Sequence, residues 1–411
     1  MHPTRREMLR LGLGSSALLA CGSTVPMFMA RSASALAADG PAASKGRILV
    51  VVQLDGGNDG INTVVPFGDE DYARHRRELR IPTDRVCKLT DRVGLHPAMR
   101  PAADMIQDGR LAIVQGVGYP NPDRSHFRSM AVWQTARPDN PAPEFHGWLG
   151  QSLDGIAAGK PANSPLGPSA VFIGERDLPR ALRGRRTVTA SFADPVDLTL
   201  AIPATAARSP GRPAGDDLSA FVHRTVTNAY ITAEQLADSA GRTGGSAARY
   251  PDCELGRHLE LVSRSIKAGA TARVYYTIQS GYDTHAAQLP SQAQLLGDFA
   301  RSVRAFLDDL AAARLADGVL LLAFSEFGRR PSENGSLGTD HGTAGPVFVA
   351  GSQSRAGLIG ETPRLGELVD GDLKWSIDFR RIYATLIDRW LGVPAEAVLG
   401  QRFEPLSMLQ G

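Results

Sequence analysis

Six short apolar runs, most of them rich in β-branched residues, restrict the fold of this chain more than any other feature. They lie at residues 48–52, 111–114, 171–173, 274–278, 319–324 and 347–349. Apolar runs of this length, without polar alternation, are typical of strands that are buried on both faces of a parallel sheet. Because helices must cover both faces of such a sheet, the runs predict an α/β fold with a mostly parallel central sheet.

Helical periodicity between the runs supports this architecture. Residues 292–315 carry apolar side chains at spacings of three and four, which predicts an amphipathic helix. Ser291 and Gln294 have the spacing of a capping box for that helix. Shorter helices are expected at about 127–135 and 379–389.

The stretch at about 175–250 differs from the rest of the chain in composition. It is rich in Arg, Ala, Gly, Pro and Ser and shows little apolar period. We therefore expect a single domain over residues 45–411, with an insertion at about 175–250 that shapes the mouth of a pocket.

The amino-terminal residues have the pattern of a signal peptide. Arg5 and Arg6 precede a weakly apolar stretch that glycines and a proline interrupt, and Ala37 follows small residues. The pattern predicts a twin-arginine signal at residues 1–37, read by the twin-arginine export machinery, and a periplasmic or secreted protein. The stretch is too weakly apolar to predict a stable membrane span in the mature protein, although a retained anchor or lipidation at Cys21 stay as alternatives.

Composition excludes several classes of protein. A formal net charge of +2, with 21% charged and 43% hydrophobic residues, is ordinary for a globular protein and predicts no nucleic-acid partner. Cleavage of the signal would leave Cys87 and Cys253 as the two cysteines, whose pairing the sequence leaves open. No clustered Cys/His pattern is present, so a structural zinc site of that type is not expected.

Polar side chains that can bind a metal follow several of the predicted strands. Open α/β sheets bind ligands at the carboxyl ends of their strands, so these side chains are expected to meet. Mixed oxygen and nitrogen ligands suit Zn, Mn or Fe, or Mg and Ca with fewer histidines. Each cluster alone fits an ordinary turn, and Glu326 alone fits an ion pair with Arg329 or Arg330. The sequence predicts a divalent metal site, of unknown ion and number, from Asp55, Asn58, Asp283, His285, Glu326, Asp340 and His341.

Ser125 is the candidate nucleophile. It lies at the predicted start of the helix at 127–135, where backbone N–H groups favour an anion. The alternative is that Ser125 only caps that helix. Arg124 and Arg128 would neutralise the oxygens of a substrate, and His126 would act as an acid, a base or a ligand.

These motifs together resemble an exported bacterial family called domain of unknown function 1501. The resemblance covers residues from about 45 to the predicted carboxyl-terminal helix and its Trp390-Leu391-Gly392 extension. That family is grouped with the alkaline-phosphatase-like superfamily, which implies metals and a serine, threonine or modified cysteine nucleophile at the strand ends. In that superfamily an Asp-His pair often follows the penultimate strand, whereas Ser325-Glu326-Phe327 stands here. Either Glu326 takes the ligand's place or Asp340 and His341 fill it.

Two functions follow as expectations. The first is an exported metal-dependent hydrolase of a phosphate or sulfate ester, small molecule or polysaccharide, with Ser125 as nucleophile. No Cys-x-Pro-Ser-Arg signature is present, so a formylglycine nucleophile is not expected. The alternative is a non-catalytic envelope or carbohydrate-binding protein that retains the fold.

Overall fold

The structure is a computed structural model that describes residues 46–139, 146–159, 169–174, 177–192 and 248–410. All of these residues lie in the unit Gly46–Gly411. The predicted signal peptide at 1–37, including Cys21, lies outside the described residues, and so does most of the predicted insertion at 175–250.

Nine strands of the described chain form a central sheet in the order β13-β5-β12-β9-β1-β8-β6-β7, with β16 also beside β5. Three small sheets pair β10 with β11, β14 with β15, and β4 with β2 and β3. The strands are β1 (Ile48–Asp55), β2 (Val64–Val65), β3 (Cys87–Lys88), β4 (Gly94–Leu95), β5 (Leu111–Gly118), β6 (Ala170–Ile173), β7 (Thr189–Phe192), β8 (Val274–Ser280), β9 (Val319–Phe324), β10 (Arg329–Glu333), β11 (Thr339–His341), β12 (Gly345–Ala350), β13 (Gly357–Ile359), β14 (Leu368–Val369), β15 (Asp372–Leu373) and β16 (Ile377–Asp378).

Each of the six apolar runs is a strand of this sheet, which confirms the predicted mostly parallel architecture. β1 runs parallel to β8 and β9, whereas β12 runs antiparallel to both β9 and β5. The carboxyl ends of β1, β5, β8 and β9 therefore lie at one edge of the sheet, and the amino end of β12 lies at the same edge. That edge is where the site is built.

Helices cover both faces of the sheet, as predicted. Alternate residues of β1 divide between two cores, with Leu49 and Val51 in one and Val50 and Val52 in the other. No helix among the residues the structure describes has the length and apolar character to cross a membrane. The α-helices are α1 (Gly60–Thr63), α2 (Glu70–His75), α3 (Arg100–Gln107), α4 (His126–Thr135), α5 (Trp148–Ala158), α6 (Glu254–Lys267), α7 (Gln288–Ala312), α8 (Phe379–Thr385) and α9 (Ala395–Leu399).

Three boundaries differ from the prediction. Helix α7 begins at Gln288 rather than 292, because Pro290 is tolerated in a first turn and the Gln288 N–H donates to the carbonyl of Leu337 at 2.8 Å. Ser291 therefore does not cap this helix, whose N-cap Ala287 has no side-chain bond. β7, which lies within the predicted insertion, pairs parallel to β6. The predicted carboxyl-terminal helix consists of α8 and a π-helical segment that follows it, Leu386–Leu391.

His96 links the fold to acid stability. Its side chain is buried, its Nδ1 accepts from the Ala98 N–H at 3.1 Å, and burial lowers its pKa to about 4. An unfolded histidine titrates near 6.5, so the unfolded chain binds more protons between pH 6.5 and pH 4. The contribution of His96 is therefore fully present above pH 6.5 and is lost as the pH falls through this window.

We expect His96→Asn, which keeps an acceptor for Ala98 but does not titrate, to remove this part of the acid sensitivity. Between pH 6.5 and pH 4, the free energy of unfolding of the wild type is expected to fall by on the order of 3 kcal/mol more than that of the variant. Urea unfolding of both proteins at several pH values measures it. Identical pH slopes for the variant and the wild type would contradict this role of His96.

Candidate metal centre

Three imidazole rings and one carboxylate converge at the edge of the sheet where β1, β5, β8 and β9 end. The Oδ1 atom of Asp283 lies 3.1 Å from His285 Nε2, 3.2 Å from His341 Nε2 and 3.5 Å from His126 Nε2. The Nε2 atoms of His285 and His341 are 2.8 Å apart. We call these four residues the histidine–aspartate cluster. Within the described part of the chain, the ligand atoms of His126, Asp283 and His341 all lie within 4.8 Å of one another, close enough to share an ion.

The residues of this cluster come from three separate parts of the chain. Asp283 and His285 follow β8, His126 begins α4 after the loop that leaves β5, and His341 ends β11 just before β12. His341 reaches the cluster because β12 is antiparallel, so the residues that precede it lie at the edge where its neighbours end. A parallel β12 would have put His341 at the opposite edge.

Two of the rings are oriented by hydrogen bonds at their far nitrogen. His126 Nδ1 lies 2.7 Å from Glu326 Oε1, and His341 Nδ1 lies 2.8 Å from the carbonyl oxygen of Arg124. A carbonyl or carboxylate oxygen only accepts, so each Nδ1 carries a proton, and a ring in its neutral form then presents the lone pair of Nε2 to the cluster. Histidine ligands of metals are held in this way.

The third ring has the same arrangement at a longer distance. His285 Nδ1 lies 3.4 Å from Asp340 Oδ1. The Nε2 atoms of His285 and His341 are within hydrogen-bond distance of each other, so one must carry a proton for the other to accept, unless a cation takes the place of that proton. His126 Nε2 is buried and has no hydrogen-bond partner among the described residues. Both observations fit a bound cation.

Arg329 dominates the electrostatics of Asp283. Its Nη2 donates to Asp283 Oδ1 at 2.6 Å, and its side chain is fully buried. Burial raises the pKa of Asp283, but the hydrogen bond and charge of Arg329, together with His341 and His126, outweigh this and lower that pKa to about 2. The hydrogen bond to Glu326 raises the pKa of His126, while burial lowers the pKa of His341.

Glu326 and Asp340, which the sequence predicts as ligands, lie behind the rings. Glu326 accepts from the Gly56 N–H at 3.0 Å and from Ser325 Oγ at 3.0 Å, besides its contact with His126. Its partner is therefore not Arg329 or Arg330, as the ion-pair interpretation would have it. Asp340 accepts from Asn334 Nδ2 at 3.1 Å and faces His285. Both carboxylates are placed to orient histidines, and a direct role as ligands stays a prediction.

Asp55 ends β1, Asn58 lies in the loop that follows, and both hydrogen-bond to other side chains. Asp55 Oδ1 accepts from Gln53 Nε2 at 2.9 Å, and the buried Asn58 accepts from Thr63 Oγ1 at 3.0 Å. Among the described residues, Asp55 does not belong to the group of His, Cys, Asp and Glu side chains close enough to share an ion. Gly56, one of the two glycines between them, allows the chain to turn close to Asp283. It has a φ of +121°, and a Cβ there would lie 2.4 Å from the backbone nitrogen of Asp283.

Ser125 lies between two residues that are tied to the cluster. It is the N-cap of α4, yet its side chain makes no capping bond, and it is exposed. Its predicted alternative as a simple cap is therefore not supported by a hydrogen bond. The two predicted arginines face acids: Arg124 hydrogen-bonds to Asp372, and Arg128 Nε lies 3.3 Å from Asp123 Oδ2.

A buried polar network, which the sequence analysis missed, lies next to the cluster. Asp59 forms a fully buried ion pair with Arg76 and accepts from Gln288 Nε2. Gln288 Oε1 accepts from Thr339 Oγ1 at 2.6 Å and from Thr284 Oγ1 at 3.1 Å. The network thus ties the loops that carry His341 and Asp283 to α7. Asp59, the second Asp of the Asp-Gly-Gly-Asn-Asp-Gly motif, is the sequence feature that could have indicated this network.

Cys87 and Cys253 are both free thiols, which answers the question of their pairing. Cys87 is buried and Cys253 contacts Ser302 Oγ at 3.6 Å. Neither lies in the cluster.

Comparison with known proteins gives one family and a set of similar folds. The family described as "Protein of unknown function (DUF1501)" matches residues 47–400. No curated protein matches the chain.

Three solved structures with a similar fold illustrate the likeness. The carboxyl-terminal periplasmic domain of EcEptC from Escherichia coli, in complex with Zn, is 9% identical, with 76% of this chain and 75% of that chain covered and a TM-score of 0.39. PsFucS1 sulfatase from Pseudoalteromonas sp. is 12% identical, with 88% and 71% covered and a TM-score of 0.39. An alkaline phosphatase superfamily protein from Vibrio parahaemolyticus is 8% identical, with 78% and 64% covered and a TM-score of 0.35. At these identities the likeness concerns the fold alone.

Proposed function

The chain belongs to the family described as Protein of unknown function (DUF1501), and from there we propose that it is an exported, metal-dependent hydrolase of phosphate or sulfate esters. The observation that carries the proposal is the convergence of three Nε2 atoms on Asp283 Oδ1, with each opposite Nδ1 facing an oxygen. Such a preorganised donor set is costly to maintain without a cation.

The residues that would hold the metal are His126, Asp283, His285 and His341. Three imidazoles and one carboxylate suit Zn, or Fe and Mn, better than Mg or Ca, which prefer oxygen ligands. This donor set narrows the choice of metal ion, which the sequence left open. A bound ion of this kind acts as a Lewis acid towards an ester oxygen and supplies positive charge at the reacting group.

Ser125 is the proposed nucleophile, and the support is that both of its neighbours in the chain contact the cluster. The carbonyl of Arg124 accepts from His341, and His126 is itself a member of the cluster. The first N–H groups of α4 follow Ser125 and can donate to a non-bridging oxygen of the substrate. Oγ of Ser125 would form a bond to phosphorus or sulfur, the ester bond would break, and the serine proton would pass to the leaving alcohol. Water would then release the serine ester.

We expect Ser125→Ala to reduce hydrolysis of p-nitrophenyl phosphate or sulfate by about a thousandfold or more while the metal content stays unchanged. The matched control is Ser291→Ala, an exposed serine in the first turn of α7. Turnover is measured beside elemental analysis of the same preparations. Full turnover in Ser125→Ala would remove this serine from the mechanism, whereas metal-free wild-type protein without ester hydrolysis would favour the non-catalytic alternative.

We propose that residues 1–37 direct export through the twin-arginine machinery and that the mature protein is periplasmic or secreted. The support is the Arg5-Arg6 pair before a weakly apolar stretch. Replacing Arg5 and Arg6 by lysines is expected to keep the full-length protein inside the cell, and mass spectrometry of exported wild type is expected to find Ala38 at the amino terminus. Lipid on Cys21 in the exported protein would instead establish the lipoprotein alternative.

A further inference from the structure

Asp283 has a buried cation as a neighbour in addition to the three rings. Arg329 Nη2 lies 2.6 Å from Oδ1, the same oxygen that lies 3.1 to 3.5 Å from the Nε2 atoms of the cluster. One carboxylate oxygen is therefore shared between the guanidinium of Arg329 and the place where the ring nitrogens converge.

The rest of the guanidinium is enclosed by backbone oxygens. Nε donates to the carbonyl of Gly57 at 2.7 Å, Nη1 to that of Thr339 at 2.8 Å, and Nη2 to those of Tyr282 at 3.2 Å and Gly56. Carbonyl and carboxylate oxygens in this number are also what a hard metal cation would need. Because arginine stays protonated in proteins, its buried side chain is a permanent positive charge at this position.

The other acids near the strand ends are committed elsewhere. Glu326 binds Gly56 and His126, Asp340 binds Asn334, and Asp55 binds Gln53. Within the residues the structure describes, no further group of three His, Cys, Asp or Glu side chains is close enough to share an ion. Among the described His, Cys, Asp and Glu side chains, the group that could share an ion is thus the one that contains Asp283.

We propose that the site binds a single divalent cation, and that Arg329 supplies beside Asp283 the second positive charge that a second metal supplies in two-metal hydrolases. The inference rests on the proposed function in that it takes the cluster to bind a metal. Paired metals lie about 4 Å apart and bridge shared ligands. A second divalent ion next to a buried guanidinium would be strongly repelled. Arg329 is too buried to touch a substrate, so it is a positioning residue that also fixes the charge of the site.

The direct test is the metal stoichiometry of the full chain. Protein saturated with Zn²⁺ and passed through gel filtration is expected to hold one Zn²⁺ per chain by elemental analysis. X-ray absorption is expected to show imidazole ligands and no second metal near 4 Å. Two ions per chain would overturn the inference and leave the proposed function standing. Protein that binds no Zn²⁺ would overturn both.

The role of the charge is tested by Arg329→Lys and Arg329→Met. Both variants lose the guanidinium's hydrogen bonds to Gly56, Gly57 and Thr339, but only lysine keeps the positive charge. We expect the methionine variant to bind Zn²⁺ about tenfold more tightly than the lysine variant, because the charge that competes for Asp283 is gone. A purely structural role predicts equal affinities for the pair, and that result would overturn the proposal. Melting temperatures of the metal-free proteins verify that both variants fold.

Discussion

His341→Ala is expected to lose the metal and, with it, nearly all ester hydrolysis. The variant removes one of the three imidazoles proposed as ligands, together with the hydrogen bond that ties Nδ1 to the carbonyl of Arg124, next to Ser125. Substitution of a residue behind a ligand usually costs 10- to 100-fold in metal affinity or activity, so loss of the ligand itself should cost more. We expect Zn²⁺ affinity to fall by at least about 100-fold and turnover by about a thousandfold.

Two further variants make this result specific. Glu326→Gln keeps the shape of the side chain that orients His126 and is expected to weaken Zn²⁺ binding by about 10- to 100-fold, less than His341→Ala does. His75→Ala, at a histidine that contacts Ser332 and Leu365 outside the cluster, is expected to keep wild-type metal content. Equal metal content in all three variants and the wild type would show that the cluster does not bind the ion.

Arg76→Met is expected to lower the free energy of unfolding by about 3 to 5 kcal/mol. Both side chains of the Arg76–Asp59 pair are fully buried, and Arg76 also donates to the carbonyls of Pro331 and Arg330. Methionine fits the space but leaves the carboxylate of Asp59 charged and buried, with Gln288 as its remaining side-chain donor. The cost is mainly that of the unpaired charge. Urea unfolding at neutral pH measures it.

The surface pair Arg74–Asp71 provides the matched control. Its arginine side chain is 71% exposed, so Arg74→Met should change stability by less than about 1 kcal/mol. Adding Asp59→Asn to Arg76→Met removes the orphaned charge and should recover part of the loss. An Arg76→Met protein as stable as Arg74→Met would contradict the importance of the buried pair.

The sequence predicted the sheet well because buried strands leave a local signal. The runs at 48–52 and 319–324 have no polar residue, and both lie in the middle of the central sheet. Helix ends were less accurate, since the start of α7 at Gln288 depends on a contact with Leu337, nearly fifty positions further along the chain. Such a contact has no local signature.

The sequence also identified most side chains of the site, but not what each of them faces. His126, Asp283, His285 and His341 were all named as candidates from their positions after predicted strands. Glu326 and Asp340 carry the same carboxylate chemistry as Asp283, yet they lie behind the rings. Asp283 faces the Nε2 atoms, whereas Glu326 and Asp340 face Nδ1 atoms, and this difference depends on the geometry of the loops.

By itself, then, the sequence determined the α/β class, the edge of the sheet that carries the polar residues, and the donor types available for a metal. These depend on local apolar runs and on the residues that directly follow them. Only the tertiary structure decided that β12 runs antiparallel, which brings His341 to that edge, and that Arg329 lies against Asp283. Strand direction and the partner of a buried charge are set by contacts between residues far apart in the chain, where the sequence pattern carries no signal.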